Sequence, residues 1–391
     1  MPFTRAEPLV QIFNLVVLIN HRVLLSISLL VIMVCPKLWG QHKNEIVATL
    51  DGPTNQIRIR QHFTYVNQSD KGLSTLYFND WNHAYSNKNT ALAKRFAEEF
   101  NRSLHLAKDR ERGKTTIKTI VDDNYAGLDW KREGNSDIIS VTLNEVLKPH
   151  ESIQLFFTYT IKFPSAKFTG YGRTDNLGYN LQDWYLTPAV FDGDWKLYNN
   201  INLDDLYTDI TETRINFTFP EQLFLASNYR MSIITSFPGG QHVQLIGGKR
   251  KNCEIILTID KRFTKHVTDY LTITTDIESN KYEEISQGIS IIKIAQFLHE
   301  NLGRYPHDNL LVSEFDYNRS PLYGISQLPS FIRPYEEQFQ FEMKFLKTAI
   351  RNYLKESLYL DPRKERWVND AIGYYLMIKY VEEHYPDQKL I

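Results

Sequence analysis

This 391-residue chain holds 11 histidines, two cysteines and 46 carboxylate side chains, and their spacing is informative mainly for what it lacks. His299-Glu300 is followed by Asn301, Leu302 and Gly303, so no second imidazole stands one helical turn beyond the first. His299, His307 and His384 could in principle share a metal, but their separations match no common ligand pattern. The adjacent carboxylates Asp122-Asp123, Asp204-Asp205 and Glu336-Glu337 are poor acid/base pairs, because neighbouring side chains on a strand face opposite ways. No G-x-S-x-G, P-loop or G-x-G-x-x-G occurs. Of the two cysteines, Cys35 lies in an apolar N-terminal run and Cys253 in an alternating segment, where it reads as a buried thiol.

The elements that would have to position any site divide the chain in two. Residues 41–280 read mostly as strand. Ile57, Ile59, Phe63 and Tyr65 share one parity, and so do Ile153, Leu155, Phe157, Tyr159 and Ile161. Ile215, Phe217 and Phe219 alternate, as do Cys253, Ile255, Leu257 and Ile259. A helix is expected over residues 90–100, and residues 108–114 (KDRERGK) read as a charged surface loop. From about Glu283 the period changes. Ile289, Ile292, Ala295, Gln296 and Leu298-His299 have helical spacing up to Gly303. A short strand follows at residues 310–314. A second helix is expected at 339–354, with Phe341, Phe345, Ala349, Ile350 and Tyr353 inward. A third is expected at 367–380, with Val368, Ile372, Tyr375 and Leu376 inward.

Net charge is −1, with no basic excess, so nucleic-acid binding has no electrostatic support. His21 and Arg22 precede residues 23–35 (VLLSISLLVIMVC), thirteen residues that suit a signal-peptide apolar region and fall short of a membrane span. Cleavage near Gly40 and a periplasmic or cell-surface location follow as expectations. An uncleaved leader would leave a membrane anchor, and the remaining alternative is a buried N-terminal helix.

Three features, in order, resemble a known family. Residues 179–195 (YNLQDWYLTPAVFDGDW) are similar to an aromatic, proline-containing stretch; residues 302–314 (LGRYPHDNLLVSE) carry a Gly-x-Tyr-Pro turn leading into a strand; residues 367–376 (WVNDAIGYYL) are similar to Trp-Leu-Asn-Glu-Gly-Phe-Ala-x-Tyr. The chain thus resembles the gluzincin zinc aminopeptidases, the family of alanyl aminopeptidase and leukotriene hydrolase, and in particular exported bacterial members. The resemblance implies an α+β fold: a leader (1–40), a β-rich sandwich or saddle domain (41–282), and the N-terminal part of a thermolysin-like, α-rich catalytic-type domain (283–391). The family's transition-state tyrosine and C-terminal helical domain would fall beyond Ile391.

The family's zinc chemistry uses two histidines at i and i+4 with a glutamate base beside the first, and a third ligand from the next helix. Asp370 matches that third ligand, and Lys347 stands 23 positions before it, where the first histidine belongs. Thr348 then replaces the base and Arg351 the second histidine. No H-E-x-x-H occurs anywhere in the chain. Protonated Lys and Arg offer no lone pair, so the resemblance comes without a metal site or zinc cofactor, and Lys347, Thr348, Arg351 and Asp370 are degenerate positions. An ion cluster of Asp370 with Lys347 and Arg351 in place of the metal is one expectation; solvated helix residues are the other. The family's strand for the substrate amine matches residues 324–328, with Gly324 and Gln327 as candidate peptide-binding residues and Gln327 in place of the charged glutamate.

These readings imply a non-catalytic peptide-binding or scaffold pseudoenzyme whose partner is an extended peptide or protein segment. Two alternatives stay open: an active metallo-aminopeptidase with ligands from elsewhere, and a structural module with a filled groove.

Overall fold

The computed structural model describes residues 41–132, 136–201, 204–260, 262–323 and 335–387. The leader expected at residues 1–40, and the candidate peptide strand with Gly324 and Gln327, lie outside the described residues.

Strand-forming sequence dominates up to residue 275. The largest sheet has seven strands, numbered along the chain and arranged in space as β15 (Arg230–Phe237), β16 (Gly240–Arg250), β13 (Thr211–Phe219), β1 (His42–Asp51), β2 (Gln56–Val66), β7 (Ser152–Lys162) and β4 (Lys114–Val121). Only β1 and β13 pair in parallel within it, with Ile46 opposite Ile215. The strict alternation on β1, β2, β7 and β13 buries one face and leaves Arg, Thr and Asn on the other.

Two four-stranded sheets lie on the buried face. One runs β10 (Thr187–Pro188), β3 (Leu73–Asn79), β6 (Ile138–Leu147) and β5 (Trp130–Arg132). The other runs β14 (Phe224–Ser227), β17 (Glu254–Thr258), β9 (Tyr179–Gln182) and β8 (Gly172–Arg173). Phe78 packs edge-on against Phe63 and Phe157 at 5.8 and 5.0 Å between centroids, which joins the first layer to the second. A small hairpin pairs β11 (Phe191–Asp192) with β12 (Asp194–Trp195). Helix α1 (Ala91–Glu98) fills the expected position and is capped by Thr90, whose Oγ1 accepts from the Ala93 amide.

β17 departs from the expected one-sided pattern. All five of its residues are buried, while Ile259 lies beyond its end and is exposed. Ile255 and Leu257 join the sandwich core, and Ile256 packs with Leu311 and Phe315 of the helical part. A strand covered on both faces has no polar side to alternate with.

The helical part begins with a three-stranded sheet, β18 (Thr264–Val267), β19 (Thr272–Thr275) and β20 (Asn309–Val312). β19 and β20 are parallel, linked through α2 (Glu284–Leu302). Gly303 ends α2 with φ +79, a backbone state that favours glycine. The buried face of α2 carries Gln287, Ser290, Ile291, Ile294, Ala295 and Leu298; of the residues that set the expected spacing, Ala295 and Leu298 are buried, whereas Ile289 and Ile292 are exposed. Polar Gln287 and Ser290 disguise the inner face. They are tolerated there because Gln287 bonds Ser279 and Tyr282, and Ser290 bonds Glu342.

α3 (Glu314–Arg319), capped by Ser313, leads to α4 (Glu337–Ser357) and α5 (Arg366–His384). Phe341, Phe345, Ala349, Ile350 and Tyr353 of α4 are buried as expected. On α5 the core residues are Leu376, Met377, Tyr380 and Val381; Val368 and Ile372 are half-buried, and Tyr375 is exposed. The helix turns its C-terminal half inward because Glu342 of α4 draws it there. This fully buried carboxylate accepts from Lys293 (2.8 Å), Ser290 (2.6 Å), Gln338 (3.1 Å), Tyr380 (2.6 Å) and Tyr385 (2.8 Å). Burial opposes ionisation, but these donors outweigh it and hold the carboxyl at about 2. The cage ties α2, α4 and α5 at one point.

Candidate functional site

The other end of α4 carries the positions singled out in the sequence. Lys347, Arg351 and Lys355 recur every four residues, so they share one face of α4. Arg366, Asp370 and Gly373 share a face of α5. Together they line a cleft of about 130 Å3 whose floor is Ile350 and Met377. The fold therefore brings Lys347, Arg351 and Asp370 to one place, as the alignment of motifs required. Thr348 is buried outside the cleft and bonds back to the Lys344 carbonyl at 2.9 Å.

Partners within the cleft differ from those expected. Asp370 is 58% exposed and its ion pair, at 3.7 Å, is with Arg366 one turn earlier on its own helix. Arg351 pairs with Asp204, which also binds Arg319, and it donates to the Asp316 carbonyl at 3.2 Å. Lys347 donates to the Pro321 carbonyl at 2.9 Å. The carboxylate that pairs with Arg351 is thus Asp204, from the strand-rich part, rather than Asp370 of α5. Burial pushes the Asp204 carboxyl up, but Arg319, Arg351, Lys355 and Arg366 overcome this and lower it. Burial and the Arg351 guanidinium hold the Lys347 ammonium below its usual range, against the pull of Asp370.

A narrower extension of the cleft shares Asp204, Lys355 and Asn369 and reaches Asp183 and Lys251. Asp183 has a left-handed backbone, φ +52, and is 5% exposed. Its Oδ1 finds no donor among the described residues, and burial raises its carboxyl to about 6. The Asn369 Oδ1 is likewise enclosed without a donor. Burial pushes Lys251 down to about 8; it donates to the Lys355 carbonyl at 3.1 Å.

Asp204, Asp183, Arg366 and Asn369 were not read as site residues from the sequence. Asp204 had been set aside as one of two adjacent carboxylates. Only the path of the chain across the sandwich brings it to α4, and no local pattern signals that. Arg366 and Asn369 could have been found by extending the helical face through Asp370. The three histidines weighed as ligands lie apart in function: His299 stacks on Tyr270, His307 pairs with Glu356 at 3.2 Å, and His384 packs edge-on against Tyr380. Among the described residues no three His, Cys, Asp or Glu side chains converge on a metal position. Cys253 is a free, buried thiol that burial pushes upward.

Solved structures resemble this fold. The M1 zinc metallopeptidase from Deinococcus radiodurans aligns over 88% of this chain and 69% of its own, with 11% identity and a TM-score of 0.53. A glutamate-to-alanine variant of that enzyme, bound to a Tyr-Ser-Ala substrate, aligns over 88% and 70%, with 11% identity and a TM-score of 0.54. The chain shares the M1 metallopeptidase fold. No protein-family model matches its sequence, and neither does any curated protein. The residues standing in the α4–α5 cleft do not fit the zinc that gives M1 metallopeptidases their name. An ammonium and a guanidinium have no lone pair to donate, and Asp370 is turned toward Arg366.

Proposed function

We propose that this chain is a peptidase-like protein without hydrolytic activity that binds a peptide or a protein segment, exported to the periplasm or cell surface. One observation carries the reading. In an M1-type fold, the cleft between α4 and α5 is lined by Lys347, Arg351, Lys355 and Arg366. Such a charge set repels a dication and cannot ligate one. The solved neighbour holding a Tyr-Ser-Ala substrate supports peptide as the ligand class. The apolar run at residues 23–35 supports export, and among the described residues no helix is long and apolar enough to cross a membrane. No metal cofactor is required for this function.

The competing reading is a zinc-dependent aminopeptidase acting on peptide N-termini, which the fold alone favours. Incubating the purified chain with zinc and aminoacyl arylamides separates the two. No turnover above buffer, together with saturable binding of short peptides, is the expected result. Chelator-sensitive turnover would return the enzyme reading.

A further inference from the structure

We propose that the α4–α5 cleft recognises the C-terminal carboxylate of a peptide, with Lys347 and Arg366 as its cationic contacts and Asn369 accepting the N–H of the terminal residue. This deepens the peptide-binding reading and rests on it. The reasoning begins with charge. Four cationic side chains line the cleft against two carboxylates, Asp204 and Asp370. Asp204 is already matched by Arg319 and Arg351. Asp370 meets Arg366 only at 3.7 Å and from an exposed position, which leaves most of the guanidinium fork open. Among the described residues Lys347 makes one hydrogen bond, to the Pro321 carbonyl, out of the three an ammonium can make. Burial and the neighbouring Arg351 guanidinium lower its affinity for protons, and Asp370 only partly offsets them.

The second observation is independent of charge. The Asn369 Oδ1 is enclosed and has no donor among the described residues, and the Asn369 side chain lines the same cleft. An unmatched buried acceptor calls for an N–H. A peptide's last residue carries a carboxylate and an N–H on either side of one Cα. A donorless anion such as sulfate offers the charge without the N–H, and a free amino terminus offers the donor with the wrong charge. Ile350 and Met377 supply an apolar floor for the terminal side chain.

The test is calorimetric titration of the full chain with three tripeptides: N-acetylated Ala-Ala-Leu as the free acid, the same peptide as its C-terminal amide, and N-acetylated Ala-Glu-Leu amide. The free acid is expected to bind at least about tenfold more tightly than either amide. Lys347→Gln should remove that preference, so that acid and amide bind the variant with equal affinity. Arg366→Gln, at a half-exposed position, should act the same way and guards against a folding defect in the first variant. Equal affinity for acid and amide would overturn the assignment while leaving peptide binding intact. Tight binding of the Glu-containing amide would move recognition to an acidic side chain and overturn the C-terminal assignment. Absence of binding by all three, and by unblocked Ala-Ala-Leu amide, would take down the peptide-binding reading itself.

Discussion

Two places on one helix treat charge in opposite ways. Near the start of α4, Glu342 is fully buried and saturated by donors from five side chains on α2, α4 and α5 and the residue just after α5. A few turns later, Lys347, Arg351 and Lys355 face an open cleft in which cations outnumber carboxylates. The first arrangement leaves nothing for a ligand to do; it fixes the angle between helices. The second keeps hydrogen-bonding capacity in reserve. A closed, matched cluster holds the scaffold, while the mismatch beside it is where a ligand can act.

The sharpest way to break this contrast is Glu342→Ala. It strands Lys293 and two tyrosine hydroxyls, and should cost about 3–5 kcal/mol in urea unfolding; Lys347→Ala should cost less than about 1 kcal/mol. Equal losses would erase the distinction.

The acid limb follows from the same cage. The Glu342 carboxyl is lowered from 4.5 to about 2, so its contribution is fully present above pH 4.5 and is lost as pH falls toward 2. That contribution is on the order of 3 kcal/mol, and Glu342→Gln should flatten stability over this range.

Asp183 should behave in the reverse sense. Burial raises it from 3.8 to about 6, so the folded state binds the extra proton and stability declines as pH rises from 3.8 to 6. Asp183→Asn should therefore stabilise the protein by on the order of 3 kcal/mol at pH 8 and leave it unchanged at pH 3. A destabilised variant at pH 8 would mean that Lys355 and Arg319 depend on that charge.

Asp370→Ala should have the smallest effect, under about 0.5 kcal/mol, because its only ion pair among the described residues is an exposed one within its own helix. A loss of several kcal/mol would restore the metal-replacing ion cluster expected from the sequence.

Most of the strand-rich part was legible because one face of each strand is buried. Ile57, Phe157 and Phe217 mark that face without ambiguity. The failures share a cause: burial on more than one side, or polar residues inside. β17 is covered by two cores, and α2 hides Gln287 and Ser290 within while exposing Ile289 and Ile292. At the site, motif spacing was enough to bring Lys347, Arg351 and Asp370 to one cleft. It could not show which carboxylate would reach Arg351. That partner, Asp204, comes from the sandwich side of the molecule, where nothing in its own neighbourhood marks it.

The most direct test of the central claim is the zinc content of the purified chain, measured by elemental mass spectrometry after dialysis. A cleft lined by Lys347, Arg351, Lys355 and Arg366 predicts zinc well below one equivalent. Stoichiometric zinc that survives a chelator wash would contradict it and place the metal on ligands other than these.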